Sequence, residues 1–454
     1  MTLFAPKTPL ADLAAMLDAG TTTSRELTET ALERIAADGG NGGAAFCFVD
    51  ADGARRQADA LDALRRAGTR LSPLAGVPVS VKDLFDVQGQ PTRAGSRVLA
   101  DAPPARTDAP AIARLRRAGA VLIGRTNMSE FAFSGLGLNP HYGTPASPWR
   151  RSERHVAGGS SSGAAASVAD GLAAAGLGSD TGGSLRIPAA FCGLTGFKPS
   201  AGRVPTEGVV PLSPTLDVVG AIAPSVACCT MMDGVLSGAS FGARRPLAGA
   251  RLAVLRNYVM DGIEPEVART YEAALDRLAR AGALLTEVRF APLDSLPAIN
   301  AFGFSPIEAF AAHRSRLGTQ ADMYDRRVLA RIRRGEAASA ADYLDLLAAR
   351  RATIAAARQF FAGFDAFVMP TVPIAPPSIA ALEVDDAAFA AANALVLRNP
   401  SVVNFLDGCA VSVPCYREGD VPVGFSIGGL HGQDEAILAL AGAVENALGI
   451  CKVY

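Results

Sequence analysis

The sequence predicts an α/β fold in which helices cover both faces of a central sheet. Two observations carry that expectation. Short apolar runs of strand length alternate with longer helix-patterned stretches over nearly the whole chain, which favours a sheet flanked by helices over an all-helical or all-strand architecture. The 454 residues are 49% hydrophobic and 19% charged, far from the composition of a disordered chain and enough to bury one large core or two ordinary ones.

The elements follow in order. Leu10, Leu13, Met16 and Leu17 recur at helical spacing, and Thr23 with Glu26 matches a capping box ahead of Leu27, Leu32 and Ile35. These first helices are expected to pack on the outside of a larger body. An apolar strand-like run at 76–81 ends at Lys82, and a helix over 109–117 feeds a strand at 120–123. A second series has a helix over 162–171, an apolar segment at 172–177, a glycine-rich turn and a short helix opening near Ser184. Strands are then expected at 251–255, 284–288, 366–369, 410–413 and 423–427, with helices over 265–281 and 434–448. Residues 290–365 are more helical and include the run D-R-R-V-L-A-R-I-R-R-G-E, which reads as a solvated helix face. The proline-rich stretch 370–377 reads as a rigid loop, and no internal repeat marks a second domain.

Charge and composition exclude several functions. Lys and Arg number 43 against 44 Asp and Glu, a net charge of −1, without the cationic footprint that nucleic acids or anionic membranes require. There is no uninterrupted apolar run of about 18 residues, and the start lacks the charged and apolar blocks of a signal peptide. The seven cysteines show no C-x-x-C spacing, and the four histidines form no zinc-like set, so reduced thiols, a cytoplasmic setting and no metal are expected.

Three features carry chemistry. The chain uses arginine nearly everywhere it needs a cation, and its four lysines are Lys7, Lys82, Lys198 and Lys452. Lys82 closes a strand-like run, where a desolvated amine can lose its proton and act as a base, which arginine cannot do. The plainer role is a lysine snorkelling from a strand end or paired with Asp83 or Asp86. The second feature is A-G-G-S-S-S-G at 157–163, a tight turn into a helix. The third is G-S-D-T-G-G-S-L-R-I-P at 178–188, whose successive backbone N–H groups could form an oxyanion hole with Ser184 placed to attack beside it. No phosphate-loop or dinucleotide pattern fits this turn. Residues 159–163 literally match G-x-S-x-G, which would make Ser161 the nucleophile of an α/β-hydrolase esterase with His313 or His431. That stretch follows a long loop, however, without the apolar strand such an elbow requires. Lys82 as base in place of histidine is the better arrangement.

Taken together and in this order, the Lys82 segment, G-G-S-S-S-G and G-S-D-T-G-G-S-L-R-I-P-A-A-F-C-G-L-T-G-F-K-P resemble the amidase signature family of Ser-cisSer-Lys hydrolases. The similarity extends to P-V-G-F-S-I-G-G-L-H-G-Q-D-E-A near the C-terminus. It implies one large domain over 1–454 with a central mixed sheet, helices over 1–70 packed on the core, and residues 290–365 shaping the substrate pocket. It further implies Ser184 as nucleophile, Ser160 as bridging serine after a cis Gly159–Ser160 peptide, and Lys82 as base. Thr181, Gly182, Gly183 and Ser184 would supply the oxyanion hole, with Ser161, Ser179, Asp180 and Arg186 in support and Lys198 structural. No cofactor is implied. The substrate would be a small acyl amide releasing ammonia or an amine, and a homodimer is the default assembly. The alternative within the resemblance is the amidase subunit of a glutamine-dependent tRNA amidotransferase, against which the segments 133–143 and P-L-S-P-T-L-D speak. Phe131, Phe133, Leu136, Leu138, Phe302 and Phe304 are the expected pocket residues, and their character suggests an aryl or aliphatic acyl group.

Overall fold

Short apolar runs form strands, and the eleven strands among the described residues join one sheet. The computed structural model describes residues 4–37, 41–239 and 245–449, so Cys451 and Lys452 lie outside it. In chain order the strands are β1 (Phe46–Val49), β2 (Pro78–Lys82), β3 (Val121–Thr126), β4 (Ala175–Asp180), β5 (Thr195–Lys198), β6 (Val218–Ala223), β7 (Arg251–Leu255), β8 (Leu284–Val288), β9 (Ala366–Pro370), β10 (Cys409–Pro414) and β11 (Gly424–Gly429). Their spatial order is β1-β3-β2-β4-β6-β5-β10-β11-β9-β7-β8. Two parallel trios, β3-β2-β4 and β9-β7-β8, flank an antiparallel middle. The sheet is therefore mixed, in a single large α/β domain.

β7 and β8 fall where the apolar pattern puts them, and β9, β10 and β11 lie within two residues of their expected bounds. β1, β5 and β6 are not among the expected strands, although β1 (F-C-F-V) and β6 (V-V-G-A-I-A) are short apolar runs. The glycine within β6 has a steric reason: a Cβ on Gly220 would come 2.4 Å from the carbonyl oxygen of Phe197 on β5, so close approach of the two strands requires it.

The first two helices, Leu10–Asp18 and Ser24–Ala37, bury Leu10, Leu13, Leu17 and Leu27. The capping box is present: Thr23 N donates to Glu26 Oε2 at 2.9 Å, and Glu26 N to Thr23 Oγ1 at 3.1 Å. The helix Ser162–Ala169 is buried along its whole length, which its sequence S-G-A-A-A-S-V-A allows because small side chains let a helix lie close to its neighbours. From 290 to 365 the chain is helical, with Phe304–Gln320, Arg326–Arg333 and Ala340–Phe360 as its main helices. No helix among the described residues is long and apolar enough to cross a membrane, and the six described cysteines are free.

Candidate active site

β2 and β4 run parallel and side by side, so Lys82, the last residue of β2, and Ser179, next to last in β4, reach the same carboxyl edge of the sheet. Ligand sites in α/β sheets gather at such edges because loops and helix starts converge there. Lys82 is fully buried. Its Nζ donates to Ser160 Oγ at 2.7 Å and to Ser179 Oγ at 2.9 Å. Neither acidic neighbour pairs with it: Asp83 meets buried Arg125 at 3.3 Å, and Asp86 accepts from Thr92 Oγ1 at 2.7 Å. The plainer role for this lysine is thus corrected. Burial without an adjacent carboxylate pulls its amine from 10.5 to about 7, with the charges of Asp180 and Asp217 opposing only in part.

Ser160 lies in the turn before the Ser162–Ala169 helix, and the Gly159–Ser160 peptide is cis. Its carbonyl accepts from Ser129 N at 3.1 Å, and the next amide, Ser161 N, donates to the carbonyl of Ser184 at 3.3 Å. The Ser160 turn and the Ser184 turn are therefore directly bonded. Ser161 Oγ donates to the carbonyl of Ser179 at 3.3 Å. His313 instead meets Tyr324 OH through Nδ1 at 2.9 Å, and His431 pairs with Asp407 at 3.1 Å. Neither histidine is a hydrogen-bond partner of Ser161, so the esterase arrangement is corrected: its base is absent from its nucleophile.

The glycine turn after β4 is held by Asp180 and Arg186, both fully buried. Asp180 accepts from Arg186 Nε and Nη2 at 3.0 Å each, from Asn404 Nδ2 at 3.0 Å and from Gly183 N at 2.8 Å. Burial alone would raise this carboxyl, but the Arg186 charge and these hydrogen bonds outweigh it and hold it at about 2. The Gly183 N–H, one of the four expected oxyanion donors, is donated to Asp180 in this structure. Glycine is needed there for a steric reason. Its φ is +127°, and a Cβ there would sit 2.6 Å from Pro400 Cβ. Asp217 fixes the start of the turn, accepting from Thr181 Oγ1 and from the amides of Leu212 and Ser213 at 3.0 Å each. Desolvation pushes Asp217 up to about 6 against those bonds.

Above the turn lies a cavity of about 290 Å³ with Thr181, Gly182 and Ser184 in its lining. Of the expected pocket residues, Phe133, Phe302 and Phe304 line it. Phe131 packs edge-on to His313 with centroids 4.3 Å apart, and Leu136 and Leu138 join a core cluster with Phe191 and Val396. Those three are packing residues, which is the correction the structure makes to the pocket.

Sequence reasoning missed that two cations, Arg331 and the exposed Arg334, line the cavity. Arg326 and Arg333 of the Arg326–Arg333 helix are exposed as expected, but Arg331 is partly buried and lines the cavity. Its guanidinium lies over the Phe133 ring, 4.6 Å from the centroid, and its enclosed Nε has no hydrogen-bond partner among the described residues. Desolvation lowers it to about 10, with Arg334 adding to the effect, and no carboxylate pairs with it among those residues. Asn404 and Tyr258, on the turn's support and the cavity wall, also carried no sequence signal. Among the described residues no group of three or more His, Cys, Asp or Glu could hold a metal ion.

A family model described as Amidase matches residues 26–438. The chain belongs to the amidase family. This amidase is 37% identical over 415 residues to 2-amino-5-chloromuconic acid deaminase from Comamonas testosteroni, covering 89% of this chain and 88% of that one. It is 33% identical to a Glutamyl-tRNA(Gln) amidotransferase subunit from Salinispora arenicola (strain CNS-205), covering 97% of each. A solved amidase structure superposes with a TM-score of 0.87 at 33% identity, covering 97% of this chain and 99% of the other. The chain is accordingly a hydrolase acting on carbon–nitrogen bonds.

Proposed function

We propose that this amidase cleaves small amides that carry a carboxylate, through an acyl-enzyme on Ser184, with Ser160 as bridge and Lys82 as base. The observation that carries the reading is Lys82: a fully buried amine, poised to be neutral near pH 7, hydrogen-bonded to Ser160 in a turn bonded to that of Ser184. Neutral Lys82 takes a proton from Ser160, which takes the proton of Ser184 as its Oγ attacks the amide carbonyl. The amides of Thr181, Gly182 and Ser184 face the oxyanion. As the intermediate collapses, the carbon–nitrogen bond breaks and the relay returns the proton to the leaving amine. Water, deprotonated by the same relay, then cleaves the ester and restores Ser184. Ser161 and Ser179 support the relay, and no cofactor takes part.

The substrate class rests on Arg331. A desolvated guanidinium stacked on an aromatic face and lacking a carboxylate partner is completed by an anion, and its planar fork matches a carboxylate. This replaces the expectation of a purely apolar acyl group, leaving Phe133, Phe302 and Phe304 to contact the carbon chain. The Comamonas relative is likewise named for an acid. The test is ammonia release from succinamate and glutaramate against butyramide and pentanamide. Carboxylate-bearing amides should be favoured about ten-fold or more in kcat/KM, Ser184→Ala should abolish turnover, and Arg331→Met should erase the preference. Preference for the neutral amides sinks the substrate reading, and an active Ser184→Ala sinks the mechanism.

A second reading is favoured by the match to the amidotransferase subunit, since glutamine is also a carboxylate-bearing amide. A stoichiometric partner from a pull-down, with glutaminase activity only in the complex, would establish it over a free-standing enzyme. For the free-standing enzyme we propose a cytoplasmic homodimer, which light scattering of the purified protein tests.

A further inference from the structure

We infer that Glu130 is a positioning residue for substrate selection, holding the turn that carries Phe133 and the helix that carries Arg331 in one register. The inference rests on the carboxylate reading above. Glu130 is fully buried. Oε1 accepts from Ser96 Oγ at 2.7 Å and His141 Nε2 at 2.9 Å, while Oε2 accepts the backbone N–H of Asp325 at 2.8 Å.

Each side of this carboxylate leads to one half of the Phe133–Arg331 pair. On the near side, Phe131 and Ala132 both take left-handed backbone, φ +49° and +59°, in a turn closed by Phe133 N donating to the Glu130 carbonyl at 3.1 Å. Two consecutive non-glycine residues in that region require external support, and the turn delivers the Phe133 ring to the cavity. On the far side, Asp325 caps the Arg326–Arg333 helix, accepting from Arg327 N at 2.9 Å. Arg331 lies six residues on, about 9 Å along the helix axis. Glu130 therefore fixes where that helix starts relative to the ring over which its guanidinium stacks. A carboxylate on the first amides of a helix is also electrostatically favourable. Its effect on the reaction would be exerted through Arg331, without touching substrate.

The experiment measures kcat and KM of Glu130→Ala with succinamate and butyramide, beside Arg331→Met. The expected result is a KM for succinamate raised about ten-fold or more, with kcat on both substrates within about three-fold of wild type and the KM for butyramide raised several-fold less than that for succinamate, since Phe133 serves both and Arg331 only one. Glu130→Gln keeps one oxygen for the Asp325 amide and can turn its NH2 toward Ser96 and His141, so it should restore most of the loss. Equal losses on both substrates, or a lowered melting temperature with unchanged selectivity, would mean a purely structural carboxylate and overturn the proposal. Should Glu130→Ala fail to fold, Asp325→Pro is measured against Asp325→Ala: both lose the side-chain cap, and only the proline also loses the N–H that Glu130 accepts. The Asp325 φ of −57° suits proline, and the same selective rise in KM is expected, a uniform loss overturning the proposal. If Arg331→Met erases the succinamate preference while Glu130→Ala does not, Glu130 alone is wrong. If Arg331→Met leaves it intact, or wild type shows none, the substrate reading has failed and this proposal with it.

Discussion

Lys82 shows how burial decides chemistry at a single residue. Moving an ammonium out of water costs several kcal/mol unless a partner charge compensates, and here the partners at Nζ are two serine hydroxyls. The neutral form is favoured, and the pKa falls to about 7. If neutral Lys82 is the base, kcat/KM should rise tenfold per pH unit below about 7 and level off above it, as a pH–rate profile would show. Lys82→Arg should be inactive at every pH, since arginine keeps the charge and cannot give up its proton. The same shift links to stability. Between about 7 and 10.5 the unfolded chain holds a proton on Lys82 that the folded chain does not, so this residue makes stability rise with pH across that window. Asp180 and Arg186 behave in the opposite way, as buried charges that complete each other. Removing the guanidinium with Arg186→Met should cost about 3–5 kcal/mol in a denaturant titration, because a buried carboxylate is left uncompensated. Lys82 was legible in the sequence because lysine is scarce and this one ends an apolar run. Arg331 was not, because an arginine-rich run does not say which arginine turns inward. A clue was present: Arg331 is three residues after buried Val328 and next to buried Ile332, on the flank of the helix's apolar stripe.

The elements that build the site differ in how plainly their sequences state their shape. The glycine turn after β4 is legible as a turn, but not which of its amides are free, since that depends on the Asp180 carboxylate reaching Gly183, on Arg186 turning back from the end of the same segment and on Asn404 arriving from a distant one. The turn's geometry gives an element-scale prediction. Gly183→Ala puts a methyl where Pro400 and Ile187 leave no room, in a backbone region that side chains rarely adopt. It should lower stability by about 1–3 kcal/mol and, by displacing Ser184 and the adjacent amides, reduce kcat more than it raises KM. Chemical denaturation and steady-state kinetics on the same preparation check both. β5 was harder to read, because T-G-F-K is four residues long with one glycine and a terminal lysine, too short a run to set against a loop. The helical stretch from 290 to 365 was legible as helix from its pattern and as cavity wall only through the resemblance, because its contribution comes through side chains from several separate turns.

At the scale of the whole molecule, alternation of strand and helix was enough to read the α/β class, whereas the mixed order of the sheet came from resemblance alone. Local patterns do not encode which distant strands pair. The cavity is long-range in the same sense. Its lining draws Phe133, Ser184, Tyr258, Phe304, Arg331 and Ser401 from segments far apart in the chain, so it exists only when all of them are docked. A ligand that needs Arg331 and the turn together therefore binds the folded chain and not the unfolded one. Succinate or glutarate at about 100 times its dissociation constant should then stabilise the fold by about 2.7 kcal/mol, and the melting temperature should climb with the logarithm of its concentration. Butyrate, which offers one carboxylate instead of two, should give less, because it cannot meet Arg331 and the oxyanion donors at once. The shift should persist in Ser184→Ala, whose cavity keeps Arg331 and Arg334, and fall sharply in Arg331→Met, where only the exposed Arg334 remains. A diacid shift unchanged in Arg331→Met would place the anion elsewhere and remove the guanidinium from substrate recognition.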